Sequence, residues 1–535
     1  MIMLDGQSLG PDDITLTTLK QLLGFDELSN FGWFRFWRGK FNGISVAVYV
    51  KGPDLSRGKR LSHILAFELL RLRTVKCDIA PEVVMMQDCD TSISPENFVR
   101  LQQRVIANIE KKTTPSMFGC RLVSRNMGNL LTLAAQGDDL NGNLLKFAMS
   151  TVFGMMDTMR GPFIAFPWQD LCLVYPEYAT IVDSSSISSV NNHLTEDMWL
   201  TWIHQGYGLR TEMPDIEADS LLPESIADMF NQRRRWTNGQ LLQAIDLSRA
   251  AVPFRNTNAA IFYICNQIFS LMKILHIFFY IGGQYQLLVF VMLPSTRFFI
   301  DMLFWALAVY FAMFVCYCSD KRPNDCVRFL EIHVYFSMVL VILLPTVIHF
   351  YHDMEKVELL YHLGTMVMMM PLGGLCLFLL LCVPPSHWWS VCRGQIMHVL
   401  TGWTWSVWIP LFAIANLNSK SWGLRESRED EASYSTAHEG SRGITDSQVK
   451  DFISSQRARS NSSTNCPVNG LSCETLDTFQ FYRCIFTEFE NCSTLTSAEF
   501  SHRLQLAFYK KVVLCIIYLV VNITLSYVGA LVTMW

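Results

Sequence analysis

Six apolar segments of about 20 residues, the length that spans the roughly 30 Å hydrocarbon core of a bilayer, constrain this fold most strongly. All six lie beyond residue 258. Charged residues make up only 17% of the 535 residues and hydrophobic residues 50%, which excludes an ordinary soluble enzyme of this size. We therefore predict an integral, multi-pass membrane protein. The predicted spans are 259–281, 299–318, 333–351, 361–383, 397–416 and 511–534.

The distribution of charge divides the chain into four predicted parts. Residues 1–258 have the charge density of a globular domain, which we expect to be cytosolic, and residues 259–426 contain most of the predicted spans. Residues 427–507 are rich in polar side chains and are predicted to form a partly disordered loop, followed by a membrane helix in 508–535. The net charge of −4 and the lack of a broad basic surface argue against nucleic-acid binding.

The first part alternates strand-like and helix-like patterns. This alternation predicts an α/β domain with a mostly parallel sheet. In such sheets ligands bind at the carboxyl ends of the strands, where Asp5, Asp88 and Asp90 fall. The predicted elements are strands at 2–4, 43–50 and 82–87, a helix at 61–75, and a helix at 95–111 opened by Ser94 as its N-cap.

Two acidic pairs are candidates for chemistry. Asp88 and Asp90 leave a predicted strand together, and such a pair suits Mg²⁺ or Mn²⁺ bound to a diphosphate. Any Asp-x-Asp in a turn has the same pattern, so the pair alone is a weak signal. Glu196 and Asp197 precede a predicted helix, where acidic residues commonly stabilise the first turn. The functional alternative makes Asp197 a general base.

Basic residues cluster in two places. Arg233, Arg234 and Arg235 are followed by Trp236. Arginine binds phosphate through paired hydrogen bonds, and tryptophan offers a flat face to a sugar ring. The alternative is a basic stop at the cytosolic end of a membrane helix. Lys59 and Arg60 follow a glycine at a loop-to-helix junction, which suits a phosphate or a base but also an ordinary solvated turn.

Taken in order, these motifs resemble those of chitin synthases, which are processive family 2 glycosyltransferases of the GT-A fold. Residues 232–236 are the family's QRRRW sequence unaltered, and residues 421–426 are similar to its SWGTRE signature. The second signature separates chitin synthases from cellulose and hyaluronan synthases. Lys59-Arg60, Asp88-Cys89-Asp90 and Glu196-Asp197 are similar to the family's Gly-Lys-Arg segment, metal motif and catalytic-base motif.

The resemblance implies polymerisation of N-acetylglucosamine from UDP-GlcNAc into β-1,4-linked chitin, with inversion and coupled export. It implies that Asp197, beside Glu196, is the catalytic base and that Asp90 and Asp88 hold Mg²⁺ or Mn²⁺. The expected partners are UDP-GlcNAc, the growing chitin chain and membrane lipid, with a homo-oligomer left open. The expected location is the plasma membrane. The implied substrate-binding residues are Asp5, Lys59, Arg60, Asp88, Gly161, Gln232, Arg233, Arg234, Arg235, Trp236 and Trp422.

The sequence departs from the family at three of these motifs. Met198 replaces the arginine after Glu196-Asp197, Leu424 replaces a threonine, and Arg160 replaces the proline before Gly161 in the family's Leu-Pro-Gly acceptor loop. Relative to the family, the chain is expected to begin at about the second strand of the sheet, as a truncated or incomplete enzyme. Three alternatives remain open: another β-glycan synthase of the hyaluronan or cellulose type, an inactive remnant, and a transporter with a cytosolic α/β domain.

Overall fold

The computed structural model describes residues 2–4, 14–24, 28–31, 34–51, 59–77, 80–88, 90–111, 116–126, 129–179, 195–247, 297–319, 321–351 and 388–417. These residues fall in two compact units, which are described separately. The first unit draws on the ranges 1–84 and 167–203, and the second on 85–166 and 204–425.

The described strands and helices follow the chain in this order. The strands are β1 Ile2–Leu4, β2 Ser29–Phe31, β3 Phe34–Phe41, β4 Ile44–Lys51, β5 Val83–Gln87, β6 Ser92–Ile93, β7 Met117–Gly119, β8 Arg121–Ser124, β9 Phe163–Pro167, β10 Thr211–Glu212 and β11 Glu217–Ser220. The helices are α1 Ile14–Leu23, α2 Lys59–Cys77, α3 Pro95–Glu110, α4 Leu130–Phe153, α5 Trp168–Ala179, α6 Glu196–Gly206, α7 Ile226–Leu247, α8 Arg297–Cys318, α9 Val327–Tyr351, α10 Trp388–Leu400 and α11 Ile409–Ala415.

The sheet of the first unit is built around a hairpin. Its strand order is β1-β4-β3-β2, with β1 parallel to β4 and the other neighbours antiparallel. Asn42 and Gly43 join β3 to β4, and their φ angles of 49° and 82° are those that two-residue hairpin turns require. Gly43, predicted as the start of a strand, therefore lies in the turn. Val48 and Val50 are fully buried and form the centre of this unit's apolar core.

Two further sheets lie mainly in the second unit, in the orders β10-β7-β9-β5 and β6-β11-β8. Of the pairings whose register the structure describes, three are parallel and four are antiparallel. The sheets are thus mixed rather than mostly parallel as predicted. Two of the antiparallel pairings, β2–β3 and β3–β4, join successive strands, whereas β6–β11 and β7–β9 join strands that are distant along the chain. Helices beside mixed sheets nevertheless fit a GT-A-like domain.

The predicted helix at 95–111 is confirmed within one residue. It runs from Pro95 to Glu110, and the Ser94 side chain accepts a hydrogen bond from the backbone N–H of Asn97 at 3.2 Å. This is the N-cap arrangement that the sequence predicts. The helix predicted at 61–75 begins earlier, at Lys59.

One helix among the described residues is long and apolar enough to cross a membrane. It covers Phe298–Cys318 and coincides with the predicted span 299–318. The predicted span 333–351 lies within α9, whereas 397–416 is divided between the end of α10, a π-helix at Thr404–Trp408, and α11. The predicted spans 259–281, 361–383 and 511–534 lie outside the described residues.

The apolar core of the second unit holds α7 in place. The Phe230 ring on α7 meets the Phe412 ring on α11 edge to face, with ring centroids 5.5 Å apart. Both side chains are fully buried, and Phe314 of α8 belongs to the same cluster. The backbone of α7, which carries residues 232–236, is therefore anchored by packing on two other helices.

Candidate active site

Asp88 and Asp90 follow β5 in a turn whose backbone is held by hydrogen bonds. The Asp88 N–H donates to the carbonyl of Pro162 at 2.9 Å, and the Thr91 N–H donates to the Asp88 carbonyl at 3.1 Å. The Thr91 hydroxyl donates to Asp90 Oδ1 at 3.3 Å, and the Arg125 guanidinium donates to the Asp90 carbonyl at 2.7 Å. We refer to Asp88, Asp90 and Thr91 as the carboxylate turn.

Arg160 and Gly161 stand directly before Pro162, so the predicted acceptor loop adjoins the carboxylate turn. Arg160 donates to Oδ1 of Asp139 on α4 at 3.1 Å and to the Asp139 carbonyl at 3.2 Å. The guanidinium lies over Gly142, where an added Cβ would stand 2.7 Å from Arg160 Nη2. The absence of a side chain at Gly142 thus leaves the space that Arg160 occupies.

Arg233, the first arginine of the QRRRW sequence, belongs to the same cluster. Its guanidinium pairs with Asp138 Oδ2 at 3.0 Å and with Asp139 Oδ1 at 3.3 Å. It also lies over two indole rings, with 4.1 Å to the centroid of Trp236 and 5.3 Å to that of Trp405. Arg233 is only 5% exposed. The positive charge of Arg233 is thus balanced by two carboxylates and contacted by two indole faces within the protein.

The Asp139 carboxylate bridges two arginines. Burial alone would raise the pKa of Asp139, but the nearby charges and hydrogen bonds of Arg160 and Arg233 outweigh burial and lower that pKa below its usual value. The group is therefore ionised at neutral pH. We call Asp138, Asp139, Arg160, Arg233 and Trp236 the arginine–tryptophan cluster.

The three consecutive arginines differ in their surroundings. Arg234 is 1% exposed and donates to the side-chain oxygen of Asn231 at 2.8 Å and 3.3 Å. Arg235 is only half-buried, which makes it the least buried of the three. Gln232 is also half-buried, and its Oε1 is a buried atom with no hydrogen-bond partner in the described part of the chain.

The remaining described candidates lie in the first unit, around the start of α6. Glu196 is 3% exposed, and its Oε1 lies 3.6 Å from Nζ of Lys59. Asp197 is half-buried, and its Oδ1 accepts the backbone N–H of Met198 at 2.9 Å. Both carboxylates occupy the first turn of the helix, where the helix dipole favours negative charge.

Arg60 is buried, and so does not lie in the ordinary solvated turn that was one of the two interpretations of Lys59-Arg60. It is 2% exposed, donates to the Tyr178 carbonyl at 2.8 Å, and lies 5.7 Å from the centroid of that ring. The Tyr178 hydroxyl lies 3.1 Å from Nδ1 of His63. Burial, followed by the charge of Glu196, raises the pKa of Tyr178 well above its usual value. The phenol is therefore protonated at neutral pH.

Comparison with known proteins shows which proteins this region is similar to. Residues 83–318 match the family described as glycosyl transferase family group 2, and this stretch contains the carboxylate turn, α6 and the arginine–tryptophan cluster. The matched segment, which is less than half of the chain, is similar to family 2 glycosyltransferases. The chain is also similar to the chitin synthase chs-1 of Caenorhabditis elegans, with 25% identity over 238 residues. The predicted resemblance to chitin synthases is thereby confirmed.

The similarity to the nematode protein is partial. The matched region makes up 43% of this chain and 17% of that chitin synthase. The similarity to this glycosyltransferase family implies a nucleotide-sugar donor.

The described residues of the matched segment offer a divalent cation few protein ligands. Among the described residues, no group of three or more histidine, cysteine or acidic side chains is arranged to hold a metal ion. Asp88 and Asp90 form a two-carboxylate set, which suits Mg²⁺ or Mn²⁺ when phosphate oxygens and water complete the coordination. The carboxylate turn therefore fits a metal that arrives with a diphosphate.

Sequence reasoning missed three residues that the structure places beside the candidates. Asp139 contacts Arg233, Trp405 stacks on Arg233, and Tyr178 contacts Arg60. Signals existed for two of them, because Asp138 and Asp139 are the only acidic residues of α4, and Trp405 lies in the tryptophan-rich stretch 403–408. Of the predicted site residues, Asp5 and Trp422 lie outside the described part of the chain.

Proposed function

We propose that this glycosyltransferase polymerises N-acetylglucosamine from UDP-GlcNAc into β-1,4-linked chitin. The observation that supports this most is a continuous series of contacts within the matched domain. It runs from Asp88 to Pro162, and from Arg160 through Asp139 and Arg233 to Trp236. A carboxylate turn suited to a metal-bound diphosphate is thus connected to an aromatic side chain suited to a sugar.

The donor is proposed to bind at the carboxylate turn. Asp90, aided by Asp88, would hold Mg²⁺ or Mn²⁺, and such an ion supplies charge neutralisation for the departing diphosphate. Arg235, as the least buried arginine of the QRRRW sequence, is the best placed of the three to add hydrogen bonds to phosphate. Lys59 and Asp5 are proposed to contact the nucleotide.

Asp197 is proposed as the catalytic base. It takes the proton from the 4-hydroxyl of the terminal sugar of the acceptor as that oxygen attacks C1 of the donor. Attack from the face opposite UDP inverts the configuration and gives a β bond. Glu196 is buried and pairs with Lys59, whereas the neighbouring Asp197 is half-buried.

The acceptor is proposed to rest on Trp236, with Gln232 beside it. An indole face packs well against the C–H face of a sugar ring, and the buried Gln232 Oε1 can accept a hydrogen bond from a sugar hydroxyl. After each addition the polymer would advance by one sugar. The apolar helices, of which Phe298–Cys318 is one, would provide the path through the plasma membrane, with the catalytic domain in the cytosol.

Incubation of membranes containing the full chain with labelled UDP-GlcNAc and Mg²⁺ or Mn²⁺ tests this proposal. We expect an insoluble labelled product that chitinase degrades. Incorporation from UDP-glucose or UDP-glucuronate instead, or a product that resists chitinase, would contradict it.

The variant Asp197→Asn tests the assigned base in the same membranes. We expect it to abolish polymer formation while UDP binding remains, because only the proton acceptor is lost. An equal loss of UDP binding would show that Asp197 has a structural role instead.

A further inference from the structure

Arg160, at the position that the resemblance to chitin synthases assigns to the proline of the acceptor loop, makes contacts that a proline could not make. Both terminal nitrogens of its guanidinium donate to Asp139, one to the carboxylate and one to the carbonyl. Asp139 lies on α4, so this pair fixes the loop before β9 against that helix. A substitution that departs from the family is thus matched by a specific partner in this chain.

The same carboxylate oxygen, Asp139 Oδ1, also accepts a hydrogen bond from Arg233 at 3.3 Å. Arg233 in turn lies 4.1 Å from the ring centroid of Trp236, and Arg160 lies 5.9 Å from that centroid. The Trp236 indole is therefore contacted by the Arg233 guanidinium, which is in turn hydrogen-bonded to the Asp139 carboxylate. A cation over an indole favours one orientation of the ring, and desolvation strengthens the contact.

We propose that Arg160 and Asp139 are positioning residues that orient Trp236 for the acceptor sugar. They act through Arg233 and touch neither the donor nor the reacting atoms. Pro162, two residues after Arg160, accepts a hydrogen bond from the Asp88 N–H. The Arg160–Asp139 pair therefore also fixes the position of the indole relative to the carboxylate turn. This inference rests on the proposed sugar-binding role of Trp236.

Gly142 allows the contact to be disturbed without altering any charged residue. In Gly142→Ala the new Cβ would meet the end of the Arg160 side chain, which is flexible enough to move away. Alanine is also the better residue in a helix interior. This gain in helix propensity offsets part of the cost of displacing Arg160 from Asp139. We therefore expect Gly142→Ala to lose less stability than Asp157→Asn and yet to bind the acceptor less well, a combination that a purely structural role does not produce.

A matched control lies on the same helix and the same loop. Lys146 of α4 pairs with Asp157, three residues before Arg160, and also donates to the Thr158 carbonyl at 2.8 Å. Asp157→Asn removes a partly buried ion pair of similar kind from the same two segments. It should lower stability without a specific effect on the acceptor.

The experiment measures binding of a β-1,4-linked N-acetylglucosamine hexasaccharide and, separately, of UDP with Mn²⁺ to the purified full-length chain. The panel contains the wild type, Arg160→Ala, Asp139→Asn, Gly142→Ala and Asp157→Asn. We expect the first three variants to bind the hexasaccharide about tenfold more weakly and UDP as the wild type does, since a small misplacement of a contact group has effects of this order. Asp157→Asn should bind both as the wild type does.

The inference would be overturned by a hexasaccharide affinity that is unchanged in Gly142→Ala and Arg160→Ala, or by an equal loss in Asp157→Asn. A wild-type chain that binds no hexasaccharide would also overturn it. These outcomes are distinct from failure of the proposed function, which is decided by whether the wild type makes chitinase-sensitive polymer. Binding of the hexasaccharide requires no catalytic turnover, so the variants can be compared even if the protein is inactive.

Discussion

The Ser116 hydroxyl lies 2.8 Å from Nε2 of His204, and both side chains are buried in the second unit. Burial lowers the pKa of His204 from 6.5 to about 3. Below pH 6.5 the unfolded chain therefore takes up a proton that the folded protein does not bind. The stability that depends on neutral His204 is complete above pH 6.5 and is lost progressively as the pH falls towards 3.

We predict that His204→Gln reduces this acid sensitivity, because glutamine does not titrate and can still bond Ser116. Thermal unfolding at pH 7 and pH 4.5 measures the effect, with a smaller fall in melting temperature expected for the variant. Equal falls in the two proteins would show that other groups control acid unfolding.

The hairpin turn of the first unit predicts a purely conformational effect. Gly43 has a φ of 82°, and an added Cβ would have no heavy atom within 4 Å. Gly43→Ala should therefore lower the free energy of unfolding by about 1 kcal/mol through backbone strain alone. Asn42→Gly, at the other position of positive φ, serves as the control and should lose much less. Thermal unfolding compares the two variants, and similar losses would contradict this account.

The carboxylate turn predicts metal-dependent binding of the donor. If Asp90 holds the cation, Asp90→Asn should weaken UDP binding in the presence of Mn²⁺ and have little effect after the metal is removed with EDTA. Asp228→Asn, which changes an acidic residue in the first turn of α7, should bind UDP as the wild type does. A wild-type affinity for UDP that EDTA leaves unchanged would rule out the proposed metal site.

The contact between Phe230 and Phe412 predicts a large loss of stability on truncation. Phe412 is fully buried, so Phe412→Ala should lower the free energy of unfolding by about 3–5 kcal/mol by leaving a cavity. Phe153→Ala removes a ring that is 55% exposed and should cost far less. Melting temperatures in detergent provide the comparison, and equal shifts would show that α11 does not support α7.

Local signals predicted local structure well. The Ser94 cap and Pro95 located the start of α3, since capping depends on residues that are adjacent in sequence. The Asn42-Gly43 pair is an equally strong signal for a turn, but the strand predicted at 43–50 takes Gly43 as its first residue. That omission hid the hairpin and favoured a mostly parallel sheet over the mixed sheets observed.

The environment of charged residues was less predictable. Arg233 and Arg60 carry the charges that a phosphate site needs, but the sequence did not show that Asp139 and the Tyr178 carbonyl lie beside them. Those partners are 94 and 118 residues away along the chain. Such pairings are decided by how the elements pack, and a single sequence contains no direct record of that.

The π-helix at Thr404–Trp408 has a consequence for how this protein can change over evolution. A π-turn contains one residue more than an α-turn, and each residue rotates a helix by about 100°. Deletion of one residue there would restore a regular helix but turn Trp405 away from Arg233. A lineage that lost this single codon would keep its apolar core composition while separating the tryptophan from the arginine that it covers.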